Sequence, residues 1–188
     1  MKYLVSIAFL LCVTLMLSIP RRIQSAQTSP LSARDVTFCQ VASDPAAYNG
    51  ELVRLTAFVT HGFEDFSMSE PDCPKLPYKF WVWVEYGGTE RSNTVYCCPG
   101  EAAGGTRSKP LTVNGIQIPL VKDAMFQQFT DLLKKETDTT VHATLIGKFL
   151  SGSKQNDGAS WGGFGHLGCC SLFVVERVEQ FAPHTRRS

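Results

Sequence analysis

The sequence predicts a mainly β domain with one or two helices, folded as a five-stranded antiparallel barrel and stapled by disulfides. Three observations lead to this fold class: five strand-like segments, one long amphipathic helix between the third and the fourth, and six cysteines that follow a signal-like N-terminal segment. This order of elements is that of the OB (oligonucleotide/oligosaccharide-binding) barrel. Such barrels bind ligands on the face of strands 2 and 3 and on the loops joining strands 1–2 and 4–5.

The first residues of the chain have the layout of a secretory signal, with a short positive start before an apolar run from Tyr3 to Ile19,. An uncleaved anchor is the alternative, because this run is near the lower length limit for spanning a bilayer. The expected location is therefore extracytoplasmic: periplasmic, secreted, or anchored by residues 3–19. The predicted layout is a signal peptide or anchor (1–26), a flexible lead-in (27–35), a single OB-like domain (36–181) and a tail (182–188).

The charge balance argues against a nucleic-acid partner. Residues 1–26 hold Lys2, Arg21 and Arg22 and no acidic residue, so their removal lowers the 18 basic residues to 15, against 17 acidic ones, a net charge of −2. Nucleic-acid-binding proteins usually present a basic face, and apart from the short tail this sequence shows none.

The N-terminal part of the domain predicts a short helix and one further turn. Ser32 with Asp35 fits a capping box, and apolar residues follow at helical spacing as far as Val41,. Asp44 and Pro45 then supply an N-cap and a proline in the first helical position, which predicts a short helical turn.

Three strands come next. Residues 51–62 alternate between apolar and polar side chains, which predicts a strand with one buried face,. Residues 63–74 predict a second strand that ends in a turn. Lys79–Tyr86 is β-branched or aromatic almost throughout, so both faces of this third strand are expected to be covered.

The C-terminal half predicts a hairpin, a helix and two strands. Asn114-Gly115 between alternating residues is typical of a type I′ hairpin turn,. Pro119 opens a helix whose apolar face includes Val121. The last two strands are predicted at 140–150 and 171–181, on either side of a long glycine-rich loop at 151–168.

Several short stretches resemble a known group of proteins. "VTFCQVASDPAAYNGELVRLTAFVTHG", "SEPDCP" and "GFGHLGCC" are similar to segments of small exported bacterial proteins with an OB-like architecture and no assigned activity. The resemblance covers roughly residues 36–179. It implies the OB-like fold and brings no catalytic residue with it.

The cysteines are expected to form disulfides, because six remain after the signal segment and export favours oxidation,. We expect Cys39 to pair with Cys73, and one or two bonds to join the two adjacent pairs. The residues involved are Cys39, Cys73, Cys97, Cys98, Cys169 and Cys170. The alternative is an exported metal-binding protein that uses the adjacent pairs with His166. Adjacent strand residues point to opposite faces, which argues against such a site.

Two catalytic or cofactor motifs occur in the wrong context. Gly163, Gly165 and Gly168 satisfy the dinucleotide-binding pattern, but a strand is predicted after them where the motif requires a helix,. Ser160 occupies the nucleophile position of G-x-S-x-G near His166, but within a loop between two strands. A hydrolase is therefore an unlikely alternative, and no cofactor is expected.

The loop at 151–168 is the best candidate for a contact surface, because exposed aromatics beside amides suit carbohydrates or peptides. The candidate ligand-binding residues are Lys154, Asn156, Trp161, Phe164 and His166. The alternative is that Trp161 and Phe164 fold back as a lid over the end of the barrel. Trp81 and Trp83 share one face of their strand, either as a stacking platform or, as we expect, buried under the helix. The sequence thus predicts a non-enzymatic binding or scaffolding domain for a protein, peptide or carbohydrate surface, with membrane contact only if the N-terminal segment is uncleaved.

Overall fold

The computed structural model describes residues 32–62, 65–73, 80–92, 105–135, 139–152, 163–165, 168 and 170–184. The helical elements are α1 (Phe38–Ser43), a 3-10 turn (Pro45–Tyr48) and α2 (Ala124–Lys135). The strands are β1 (Arg34–Asp35), β2 (Leu52–His61), β3 (Phe66–Ser69), β4 (Val82–Tyr86), β5 (Thr112–Val113), β6 (Ile116–Gln117), β7 (Thr139–Leu150) and β8 (Ser171–Pro183).

Five strands close into a barrel in the order β2–β3–β4–β8–β7, and β7 returns to pair with β2. The closing ladder between β2 and β7 is antiparallel and runs from Leu52↔Lys148 to His61↔Thr139. With α2 placed between the third and fourth barrel strands, this arrangement confirms the predicted mainly β, disulfide-containing barrel.

The barrel is mixed in strand direction. β4 and β8 run parallel, from Val82↔Ser171 to Tyr86↔Val175. A closed ring with an odd number of strands cannot alternate direction around its whole circumference, so at least one neighbouring pair has to run parallel. The prediction of an antiparallel barrel therefore holds for the other four ladders but not for this pair.

β2 has the alternation expected of a strand with one buried face. Val53, Leu55, Ala57 and Val59 are all at most 3% exposed and point into the barrel core. The residues between them are half-buried and lie on the outside. The outward face of β2 is therefore free to carry polar recognition groups.

β4 is covered on both faces, as predicted. Val82, Val84 and Tyr86 belong to the barrel core. Trp83 lies on the other face in a second apolar cluster, which forms outside the barrel. That cluster contains Trp83, Leu111, Ile118, Leu150, Cys170, Leu172 and Val174. The β5–β6 hairpin and the segment before β8 thus cover the outer wall of the barrel.

The β5–β6 hairpin has the predicted tight turn. Asn114 has φ +51° and Gly115 has φ +78°. Positive φ at both central residues is the signature of a type I′ turn, which Asn-Gly favours. The hairpin prediction is therefore confirmed.

α1 begins later than predicted. Thr37 is its N-cap, because the Thr37 hydroxyl accepts the Gln40 N–H and the Gln40 side chain accepts the Thr37 N–H,. Residues 34 and 35, predicted inside the helix, form the short strand β1 and pair in parallel with β2. Because that pairing requires an extended backbone, Ser32 is not the N-cap of this helix.

A disulfide joins Cys39 in α1 to Cys73 after β3, as predicted, with a Cα–Cα distance of 5.3 Å. Cys170 is also disulfide-bonded, to a partner outside the described residues. Disulfides are typical of oxidising compartments, which is consistent with the expected location. Cys97, Cys98 and Cys169 lie outside the described residues, so their pairing stays a prediction.

α2 also begins later than predicted. The Asp123 carboxylate accepts the Phe126 N–H at 3.0 Å and so caps the helix at Ala124,. Val121, predicted on the buried helical face, is 39% exposed and lies before the helix. Its N–H donates to the Glu176 carbonyl at 2.7 Å, which ties this segment to β8.

α2 packs on the barrel core through aromatic side chains. The Phe126 ring contacts the Tyr86 ring at a centroid distance of 5.3 Å, and the Phe129 ring contacts Phe181 at 5.5 Å. Phe126 and Phe129 are essentially fully buried. The amphipathic face predicted from the sequence is therefore used to close the barrel core.

Neither of the helices in the described ranges combines the length and the apolar character needed to cross a membrane. Residues 1–26, where a signal or anchor is predicted, lie outside those ranges.

Candidate functional site

The structure describes one of the five predicted ligand-binding residues. Phe164 pairs with Cys170: each donates its N–H to the carbonyl of the other, at 2.7 and 3.0 Å. Lys154, Asn156, Trp161 and His166 lie outside the described residues, as does Ser160 of the hydrolase motif. The described part of the β7–β8 loop is therefore a tight turn that ends against β8.

The glycines of this turn are required by close packing. A Cβ on Gly165 would lie 2.7 Å from the Trp83 ring, and Gly165 has φ +72°. A Cβ on Gly163 would lie 2.5 Å from the Cys170 carbonyl oxygen. β8 follows the turn, at the place where the dinucleotide-binding motif requires a helix N-terminus to receive the pyrophosphate,. The strand predicted after these glycines is therefore confirmed.

Trp81 and Trp83, both predicted in the third strand, differ in their exposure to solvent. Trp83 is 4% exposed and lies under the Gly165 turn, not under α2 as expected. Trp81 is 57% exposed, although its carbonyl accepts the Ser171 N–H at 3.0 Å. Burial of the pair was therefore predicted correctly for Trp83 and wrongly for Trp81.

We call the region formed by Trp81 and Phe164 the aromatic end of the barrel. β4 and β8 both begin here, and the β7–β8 loop leaves β7 at the same end. Trp81 is one residue before β4, so its main chain is held by the sheet while its indole faces solvent. An exposed indole on an ordered main chain is a contact surface whose backbone loses little conformational entropy on binding.

A second surface lies between α1 and the outer face of β2. It is an open groove with a volume of about 640 Å³, within the range of ligand-binding clefts,. Its polar lining consists of Asp35, Thr37, Gln40, Arg54, Thr56, Glu70 and His142. We call it the α1 groove. The Cys39–Cys73 disulfide lies at its edge and connects α1 to the segment after β3.

Arg54 is held in place by two carboxylates. Its Nε donates to Glu179 at 2.5 Å, and its Nη1 donates to Asp35 at 3.1 Å. These contacts, first that with Glu179 and then that with Asp35, raise the pKa of Arg54, which therefore stays cationic. Arg54 is thus already neutralised by neighbours on two other strands.

A buried ion pair orders the loop that follows β4. The Glu85 carboxylate accepts the N–H groups of Tyr86 and Ser92 at 2.7 and 2.8 Å, and the Ser92 hydroxyl at 2.8 Å. Arg107 Nη2 lies 3.3 Å from Glu85, and both side chains are at most 3% exposed. Arg107 Nη1 donates to the carbonyls of Tyr86 and Glu90.

This ion pair was not predicted from the sequence. Glu85 could have indicated it, because a carboxylate in a strand that is buried on both faces requires a cation or hydrogen-bond donors beside it. Burial and the nearby Glu85 charge raise the pKa of the Tyr86 phenol well above its usual value. These groups are therefore structural: they fasten the residues that follow β4 as far as Ser92, and the region of Arg107, to the barrel.

The described residues include one of the side chains named in the metal-binding alternative, Cys170. Within the described ranges, no group of three His, Cys, Asp or Glu residues is placed to hold a metal ion. Cys170, one of the cysteines considered as metal ligands, forms a disulfide and so has no free thiolate for a metal ion. The aromatic end of the barrel and the α1 groove offer ring faces, hydroxyls, amides and charges for binding.

Comparisons of the chain with protein-family models, with curated proteins and with solved structures returned no match.

Proposed function

We propose that the chain is a non-enzymatic extracytoplasmic binding domain that contacts a carbohydrate or peptide surface through the aromatic end of its barrel. The observation that carries the proposal is the exposure of Trp81 beside a sheet that fixes its backbone. Tryptophan is enriched among the residues that dominate binding energy at interfaces. The exposed indole of Trp81, on a main chain held by the sheet, is therefore the strongest recognition group among the described residues.

The position of Trp81 supports the same proposal. In OB barrels the ligand contacts the second and third strands and the loop between the fourth and fifth strands. Here these are β3, β4 and the β7–β8 loop, and Trp81 adjoins both β4 and the base of that loop. The predicted contact residues Lys154, Asn156, Trp161 and His166 belong to the same loop and lie outside the described residues.

Trp81→Ala tests the proposal. We expect a ligand found by screening residues 27–188 on glycan and peptide arrays to lose at least tenfold in affinity, or about 1.4 kcal/mol, in this variant. Ile116→Ala is the matched control, because Ile116 is 43% exposed at the hairpin turn, in a different segment of the chain. It should leave binding unchanged. The arrays also separate a carbohydrate from a peptide ligand.

Unchanged binding of the array ligand by Trp81→Ala would contradict the proposal, as would an equal loss in both variants. Both substitutions replace exposed side chains, so thermal unfolding should differ little from that of the parent chain.

A further inference from the structure

The outer edge of β2 contains a gap. β1 pairs with Val53 and Arg54, and β3 pairs with β2 only from Phe58 onward. Among the described residues, positions 55–57 therefore have no strand partner on this side, although β7 pairs with them on the other. From Arg54 to Phe58 the gap spans about 13 Å, at roughly 3.3 Å per residue.

Thr56 presents its main chain to this gap. The Val36 N–H donates to the Arg54 carbonyl at 3.0 Å, so the polar main-chain groups of Arg54 face the side of β1. Main-chain groups alternate sides along a strand, so the N–H and C=O of Thr56 face the same side. No described residue forms a hydrogen bond with either group on that side.

The sequence explains why neither neighbouring strand fills the gap. After Asp35 the chain turns into α1, which its Thr37 cap begins. β3 ends at Ser69, and Pro71, the residue that would face Thr56 if β3 continued, has no N–H to donate,. Among the described residues, the gap therefore results from the points at which β1 and β3 end along β2.

The α1 groove lies over this gap, and acidic side chains outnumber lysine and arginine side chains among its described lining residues. Arg54 is already paired with Asp35 and Glu179. The carboxylate of Glu70, which is half-buried in the groove, accepts the Asp72 N–H at 3.4 Å and has no cationic partner among the described residues. A basic side chain that enters the groove would therefore complement Glu70 and the exposed carboxylate of Asp35.

We propose that the α1 groove binds an extended peptide segment of another protein, which pairs its main chain with Thr56 and places a lysine or arginine beside Glu70. This is strand addition at a sheet edge, in which main-chain hydrogen bonds supply affinity and side-chain pockets supply specificity. The groove volume lies within the range of such clefts,. Trp81 is not among the residues that line the groove, so the proposal for the α1 groove does not depend on the proposal for the aromatic end of the barrel.

The test uses residues 27–188 and a phage-displayed library of random dodecapeptides. We expect the enriched peptides to carry a basic residue and to lose at least tenfold in affinity with Glu70→Lys. Glu51→Lys is the matched control, because it makes the same charge change at an exposed residue outside the groove lining. It should bind as the parent does, and so should Trp81→Ala.

Amide exchange of Thr56 provides a second readout. A synthetic copy of an enriched peptide should slow exchange of the Thr56 N–H at least tenfold, because the peptide carbonyl accepts it. The proposal is overturned if no enriched peptide distinguishes Glu70→Lys from Glu51→Lys, or if the bound peptide leaves Thr56 exchange unchanged. Slow Thr56 exchange in the free chain would also overturn it, since a segment of the chain or a second copy would then occupy the edge.

Discussion

Replacing Arg107 by methionine should lower the free energy of unfolding by roughly 3–5 kcal/mol, because it leaves a buried carboxylate without its cation. Glu85 would keep the N–H groups of Tyr86 and Ser92, but the carbonyls of Tyr86 and Glu90 would lose a donor. Typical domains are stable by only about 5–15 kcal/mol. Denaturant unfolding of the parent and the variant measures the difference.

A second substitution separates lost charge pairing from lost packing. Adding Glu85→Gln to Arg107→Met removes the uncompensated charge while keeping the shape of the side chain. We expect the double variant to be more stable than Arg107→Met alone, because breaking a buried pair on one side costs more than neutralising both partners. If the free energy of unfolding of Arg107→Met lies within about 1 kcal/mol of that of the parent, the buried pair does not fasten the residues around Ser92 and Arg107 to the barrel as we describe.

Removing the Cys39–Cys73 disulfide should lower the free energy of unfolding by about 3–4 kcal/mol, as chain entropy implies for a sequence separation of 34 residues,. Cys39→Ala with Cys73→Ala is the appropriate variant, because it leaves no unpaired thiol from this bond. Denaturant unfolding without reductant measures the loss. The same variant should also weaken binding in the α1 groove, because Cys39 lines the groove and holds α1 in place.

Reductant serves as the control for this variant. It should destabilise the double variant further, since Cys170 remains disulfide-bonded there. A double variant as stable as the parent would show that the bond does not constrain the unfolded chain or the position of α1.

Local patterns were enough to predict most of the barrel. The alternation along β2 and the Asn114-Gly115 turn depend on neighbouring residues, and the structure confirms both. The start of α1 was missed because residues 34 and 35 pair with β2, a contact that the capping pattern at Ser32 does not contain. The parallel β4–β8 pair follows from the closure of a barrel with an odd number of strands. No pattern within a single segment of the sequence indicates it.

The candidate sites depend still more on distant contacts. Trp81 and Trp83 have equivalent places in the sequence pattern, but only Trp83 is covered by the turn at Gly165. The gap at Thr56 exists because β1 and β3 end at different points along β2. The partner of Glu85 is 22 positions away, at Arg107, and no local rule identifies it.

The most direct test of the closed barrel and its open edge is amide hydrogen exchange along β2 in the free chain. Leu55 and Ala57 direct their N–H groups to β7, so we expect their exchange to be slow and to approach the rate of global unfolding,. Thr56, between them, should exchange at least a hundredfold faster, because its N–H faces the α1 groove. Fast exchange at Leu55 and Ala57 would contradict barrel closure, and slow exchange at Thr56 would contradict the gap.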